Sequence, residues 1–86
     1  MYRLYAQKTG NSTSTLERYH PSLTNKEVKD IIKQYSNQYG APVYTESLTL
    51  AWYSHNTKIE VAVFSNKNNN TINTNDIYFD LAPSIV

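Results

Sequence analysis

One stretch of this chain carries its start, its stop and its buried face in plain sight. Thr24 stands at an N-cap position with Glu27 three residues on, the pairing in which each residue can satisfy the other's backbone N–H, and Leu23 and Val28 occupy the flanking places of a hydrophobic staple. Val28, Ile31, Ile32, Tyr35 and Tyr39 then recur at helical spacing, so one apolar stripe faces a core. Gly40 can take the left-handed conformation that ends a helix, and Pro42 prevents its continuation. The spacing predicts a helix over about 25–39, with Lys26, Lys29, Asp30, Lys33 and Asn37 on the opposite face. No other segment has that period, so whatever core exists is built from one helix and extended chain.

The extended chain is recognised by alternation. Tyr2, Leu4 and Ala6 alternate with Arg3, Tyr5 and Gln7, and residues 47–54 and 58–64 alternate around the turn residues His55 and Asn56. With Ser54 opposite Thr57, Trp52 faces Ile59, Leu50 faces Val61 and Leu48 faces Val63, all on one side; a slip by one residue scatters them. Val43 and Tyr44 read as the beginning of the same strand, with a bulge near Glu46 that keeps its carboxylate out of the core. Leu16 to His20 reads as a further short strand stopped by Pro21, and Ile77 to Leu81 as the last strand. Residues 8–15 and 65–76 read as polar loops, the second with Ile72 as its one apolar residue. The expectation is a single α+β domain over 1–86: two layers, an antiparallel sheet of four to five strands, one helix on one face, in the order β-(β)-α-β-β-β.

Composition narrows the chemistry. Leu, Ile, Val and Phe make up 19 of 86 residues, about 22%, just above the range in which a chain cannot bury enough to fold. There is no cysteine, which removes disulfides, thiolate metal sites and thiol nucleophiles together. A formal net charge of +1 directs the molecule to neither polyanions nor anionic membranes. No apolar run approaches the roughly 18 residues of a membrane span, and Met1 to Ala6 lacks the apolar stretch of a secretion signal, so a cytoplasmic protein with no membrane partner is expected. Asn, Ser and Thr account for 27 residues, a usage typical of A+T-rich coding sequence and of the small proteins that phages and mobile elements encode.

A fifteen-residue helix is about 22 Å long and shields one side of a sheet, leaving the other side open. By parity the shielded side takes Tyr2, Leu4, Leu48, Leu50, Trp52, Ile59, Val61, Val63, Ile77, Phe79 and Leu81. The open side takes Arg3, Tyr5, Thr49, Ala51, Tyr53, Glu60, Ala62, Phe64, Tyr78 and Asp80. Four aromatics on an open face, Tyr5, Tyr53, Phe64 and Tyr78, are more apolar surface than solubility requires and mark a contact site. Sheet platforms that stack nucleic-acid bases surround their aromatics with Lys and Arg; here Arg3 and Lys58 are balanced by Glu60 and Asp80, and Tyr with little charge is the composition of a protein interface.

The function expected on these grounds is that of a non-enzymatic accessory or inhibitor protein, whose partner is another protein or a second copy of itself. An alternative, nucleic-acid binding, rests on Arg18, Lys26, Lys29 and Lys33, because residues 1–33 carry a net +3 and residues 34–86 a net −2; the i,i+4 pairing of Lys26 with Asp30 makes an ordinary solvated helix face of the same residues. A second alternative is metal-independent ribonuclease chemistry by His20 and His55, although both stand at ordinary turn positions. The two histidines and scattered carboxylates form no zinc-ligand spacing, and with Gly10 and Gly40 alone there is no phosphate-cradling loop, so no metal or cofactor is expected. The sequon matches at Asn11 and Asn69 and the C-terminal Ser84-Ile85-Val86 are matches too short to carry a reading.

Overall fold

A computed structural model describes residues 1–45, 48–67 and 72. Two long strands open the chain, β1 (Tyr2–Gly10) and β2 (Thr13–Leu23), followed by helix α1 (Asn25–Tyr39) and strands β3 (Val43–Tyr44), β4 (Leu50–Ser54) and β5 (Thr57–Ser65). The strands form one antiparallel sheet in the order β2-β1-β5-β4-β3, with β1 and β5 paired along their whole length at its centre. The α+β architecture with a single helix on the sheet is therefore the one the sequence indicates.

The helix begins and ends where its signals stand. The Glu27 N–H donates to Thr24 Oγ1 at 3.2 Å and the Thr24 N–H to Glu27 Oε1 at 2.8 Å, closing the capping box. At the other end Gly40 adopts φ +93°, and its N–H donates to the Ser36 carbonyl at 2.8 Å. Val28, Ile31, Ile32 and Tyr35 are buried against Leu4, Ala6, Leu50, Trp52, Ile59, Val61 and Val63 of the sheet. Each such aliphatic side chain contributes roughly 1.5–3 kcal/mol on leaving water, and this layer of helix on sheet is the core. The β4–β5 register is the one the alternation demands, Leu50 opposite Val61 and Trp52 opposite Ile59, around a turn in which His55 takes φ +54°.

Several expectations are corrected. The polar stretch 8–15 is not a loop: Lys8–Gly10 completes β1, Thr13–Thr15 begins β2, and only Asn11 and Ser12 turn, with Asn11 at φ +52°. Ladder bonds come from the backbone, so a polar run can extend a hairpin that reaches past the core. The short strand at 16–20 is in fact eleven residues long and continues through Pro21, which an outer strand tolerates where its register shifts, here between the Tyr2–Leu23 and Leu4–His20 pairs.

Val43 and Tyr44 do not continue into the strand that follows; they form their own strand and pair antiparallel with Ala51 and Leu50. Between them the chain reverses, with the Leu48 N–H donating to the Thr45 carbonyl at 3.1 Å and the Thr45 N–H to the Thr49 carbonyl at 2.9 Å. Leu48 takes φ +60° in that reversal, which breaks the alternation and leaves it 38% exposed instead of opposite Val63. Ile72, read as the one apolar residue of a polar loop, packs against the core cluster, and its N–H donates to the Val63 carbonyl at 3.0 Å. Ser65, read as the start of the same loop, is the last residue of β5, and Asn66 and Lys67 turn after it. The bulge at Glu46, the strand at 77–81 and residues 68–71 and 73–76 of the loop lie outside the described residues.

Candidate functional site

The face of the sheet away from α1 carries a cluster that β1, β2 and β5 assemble together. On β1, Tyr5 lies opposite Tyr19 of β2 on one side and Ala62 of β5 on the other. Its ring meets Tyr19 at 4.7 Å between centroids and presents its edge to Phe64 at 5.6 Å and 86°, the T-shaped geometry that aligns ring edge with ring face. The Arg3 guanidinium rests 5.4 Å from the centre of the Phe64 ring, near enough for cation–π attraction. Burial, and then Tyr5 beside it, push the Tyr19 hydroxyl pKa above its usual value.

Beside this cluster lies an open groove of about 440 Å³ lined by Arg3, Tyr5, Gln7, Leu16 and Phe64. A smaller hollow of about 140 Å³ continues from it past Tyr5 and Gln7 to Thr49, Glu60 and Ala62. Leu16 is 63% exposed at the groove, Tyr5 36%, and Tyr19, packed against Tyr5, 44%. On this face Lys58 Nζ pairs with Glu60 Oε1 at 3.2 Å, so these two charges offset one another.

Of the residues expected here, Tyr5 and Phe64 come together. Tyr53 shares the face and is 59% exposed, but it pairs with Lys58 and stands four residues along the sheet and two strands across from Tyr5, roughly 16 Å away. Ala51 belongs to the same face and is fully buried, a single methyl between Val43 and Glu60 of the adjoining strands. Tyr78 lies outside the described residues.

Leu16 and Tyr19 are the residues the parity argument missed. Three positions apart, they cannot share a strand face unless an extra residue intervenes. It does so at Glu17, where the register shifts between the Ala6–Arg18 and Gln7–Leu16 pairs. The three-residue spacing of two apolar side chains inside an otherwise alternating segment is the signal that could have located them.

The cationic residues are arranged differently. Arg18 turns toward the helix, its guanidinium 5.4 Å from the Tyr35 ring centre and its Nη1 donating to Gln34 Oε1 at 3.4 Å. Lys26 pairs with Asp30 at 3.3 Å, both largely exposed, while Lys29 is half-buried and Lys33 exposed on the same helix. The register keeps the histidines apart: His20 lies opposite Leu4, whereas His55 is in the turn after Ser54, at the end of the sheet where Thr57 meets Gly10. Six residues of β1 separate those levels, about 20 Å, too far for two groups to serve one reacting bond.

Among the described residues no group of three or more His, Asp or Glu side chains is placed to hold a metal ion, and no helix is long and apolar enough to cross a membrane. Compared with known proteins, the chain matches no family model, no curated protein and no solved structure.

Proposed function

We propose that this is a non-enzymatic binding protein, of the accessory or inhibitor kind, that works by seating its aromatic sheet face on a protein surface. The observation that carries the reading is the joining of Tyr5, Phe64 and Leu16 around an open groove, with Tyr19 packed against Tyr5, on a face where Lys58 and Glu60 offset one another. Tyrosine and phenylalanine supply large contact area with few rotors to immobilise, and Arg3 adds a planar cation already stacked on Phe64. A face built to follow a phosphate backbone would present several unpaired cations in a line, and this one does not.

The test is affinity capture from the native host with the wild-type chain and with a Tyr19→Ala/Leu16→Ser double variant. Both residues are exposed, so the variant keeps its core. A partner retained by the wild type and lost by the variant supports the reading; a partner retained equally by both places the contact elsewhere on the molecule.

A further inference from the structure

We propose that the occupant of the aromatic face is a second copy of this chain, joined by reciprocal insertion of Tyr53 of each copy into the groove of the other; this rests on reading the face as a contact surface. The face holds two complementary features that its own copy cannot bring together. The groove between Arg3, Tyr5, Gln7, Leu16 and Phe64 is an aromatic-lined hollow of about 440 Å³ with room for a further ring. Tyr53, 59% exposed on β4, is a ring that stands out from the sheet. Roughly 16 Å of sheet separates them, and rigid strands cannot close that gap. A two-fold axis lying in the plane of the interface, midway between ring and groove, exchanges the two. Each contact then occurs twice, the geometry of an isologous dimer.

Charge and area agree with this occupant. A face that meets its own copy must not carry an unbalanced field, and Lys58 and Glu60 neutralise one another here at 3.2 Å. The central strands are nine residues long, about 30 Å, and five strands at about 4.8 Å spacing are about 19 Å wide. Two such faces remove on the order of 1,100 Å² in total, which clears the roughly 1,000 Å² a specific interface needs and falls short of an obligate one. Polar partners for the incoming hydroxyl are at hand: the Gln7 amide nitrogen is committed to Ser14 Oγ at 2.6 Å, and its amide oxygen is of the kind a tyrosine hydroxyl donates to. With both sheets turned inward, α1 of each copy faces outward on opposite sides of the assembly.

Sedimentation equilibrium from low to several hundred micromolar tests the proposal, using the wild type, a ring variant Tyr53→Ala and a groove variant Leu16→Glu. Each substituted residue is largely exposed, so folding, checked by circular dichroism, is expected to persist. The wild type is expected to dimerise, and each variant to weaken the dimer about a hundredfold, roughly tenfold at each of two lost contacts. Mixing the two variants is the discriminating step. A Leu16→Glu chain still offers its Tyr53 to the intact groove of a Tyr53→Ala chain, so the mixture regains one contact and forms a heterodimer at concentrations where either alone is monomeric. A wild type that stays monomeric throughout overturns the second copy as occupant, while the capture experiment separately decides whether the face binds any protein. A dimer unaffected by either variant, or a mixture that associates no better than its components, overturns the reciprocal insertion.

Discussion

The indole nitrogen of Trp52 donates a hydrogen bond to the carbonyl oxygen of Gly40 at 2.9 Å, tying the end of the helix to a buried position in the sheet. The same indole lies 5.2 Å from the Tyr35 ring, so one side chain fills the space between the layers and satisfies the carbonyl of the residue that caps α1. Trp52→Ala removes both and is expected to cost about 3–5 kcal/mol, a large part of the stability of so small a domain. Trp52→Phe keeps most of the apolar contact and loses the donor, with an expected cost of about 1–3 kcal/mol. Urea unfolding followed by circular dichroism separates the two; a Trp52→Phe variant as stable as the wild type would show that the hydrogen bond to Gly40 contributes nothing.

Gly40 should resist substitution for a backbone reason. Its φ of +93° lies where L side chains are rarely found, and no atom stands within 4 Å of the place a Cβ would take. Gly40→Ala therefore meets strain without a clash, at an expected cost of about 1–2 kcal/mol in the same unfolding experiment. A neutral result would mean that the end of the helix relaxes to a negative φ.

Alkaline titration should report on Tyr35. Burial first, and then the carboxylate of Glu17, which accepts its hydroxyl at 3.1 Å, push its pKa from 10.0 up to about 12. A pKa higher in the folded than in the unfolded chain means a stabilising contribution fully present below pH 10 and lost as the pH rises toward 12. Tyr35→Phe keeps the stacking on Trp52 and Tyr39, loses about 1 kcal/mol at neutral pH, and should unfold less steeply between pH 10 and 12 than the wild type. Thermal melts across that range are the measurement, and parallel curves for the two proteins would sink the assignment.

Glu27 predicts the opposite limb. The Thr24 backbone N–H, and then its hydroxyl, hold the Glu27 carboxyl below its usual value of 4.5. The depressed pKa gives a contribution present above pH 4.5 that disappears as acid protonates the folded carboxylate. Glu27→Gln should be less stable than the wild type at neutral pH, with the difference shrinking as the pH falls below 4.5. A difference independent of pH would locate the effect in packing instead of in the cap.

The two faces of the sheet should answer substitution differently. Leu4 and Ile59 are buried under α1, and Leu4→Ala or Ile59→Ala is expected to cost about 2–5 kcal/mol. Leu16→Ser and Tyr53→Ala remove exposed side chains and should change stability by no more than about 0.5 kcal/mol at concentrations where the chain is monomeric. Large losses at Leu16 or Tyr53 under those conditions would mean the outer face is packed within the same chain.

Local rules were enough for whatever depends on neighbours in the chain. The helix could be placed between Thr24 and Gly40 because capping and the 3.6-residue stripe are interactions among residues four or fewer apart. The β4–β5 register followed from alternation because one slip would move Trp52, Leu50, Ile59 and Val61 to solvent together. What joins distant segments was decided only in three dimensions. The polar run 8–15 became strand because backbone pairing with β5 and across the Asn11 turn outweighs the propensity of its side chains. Leu48 left the core because a reversal through positive φ broke the parity on which its placement relied. At the site, Tyr5 and Phe64 were visible from alternation alone. Leu16 and Tyr19 were not, because a bulge at Glu17 exists only in relation to the partner strand: one extra residue has no meaning until there is a register for it to interrupt.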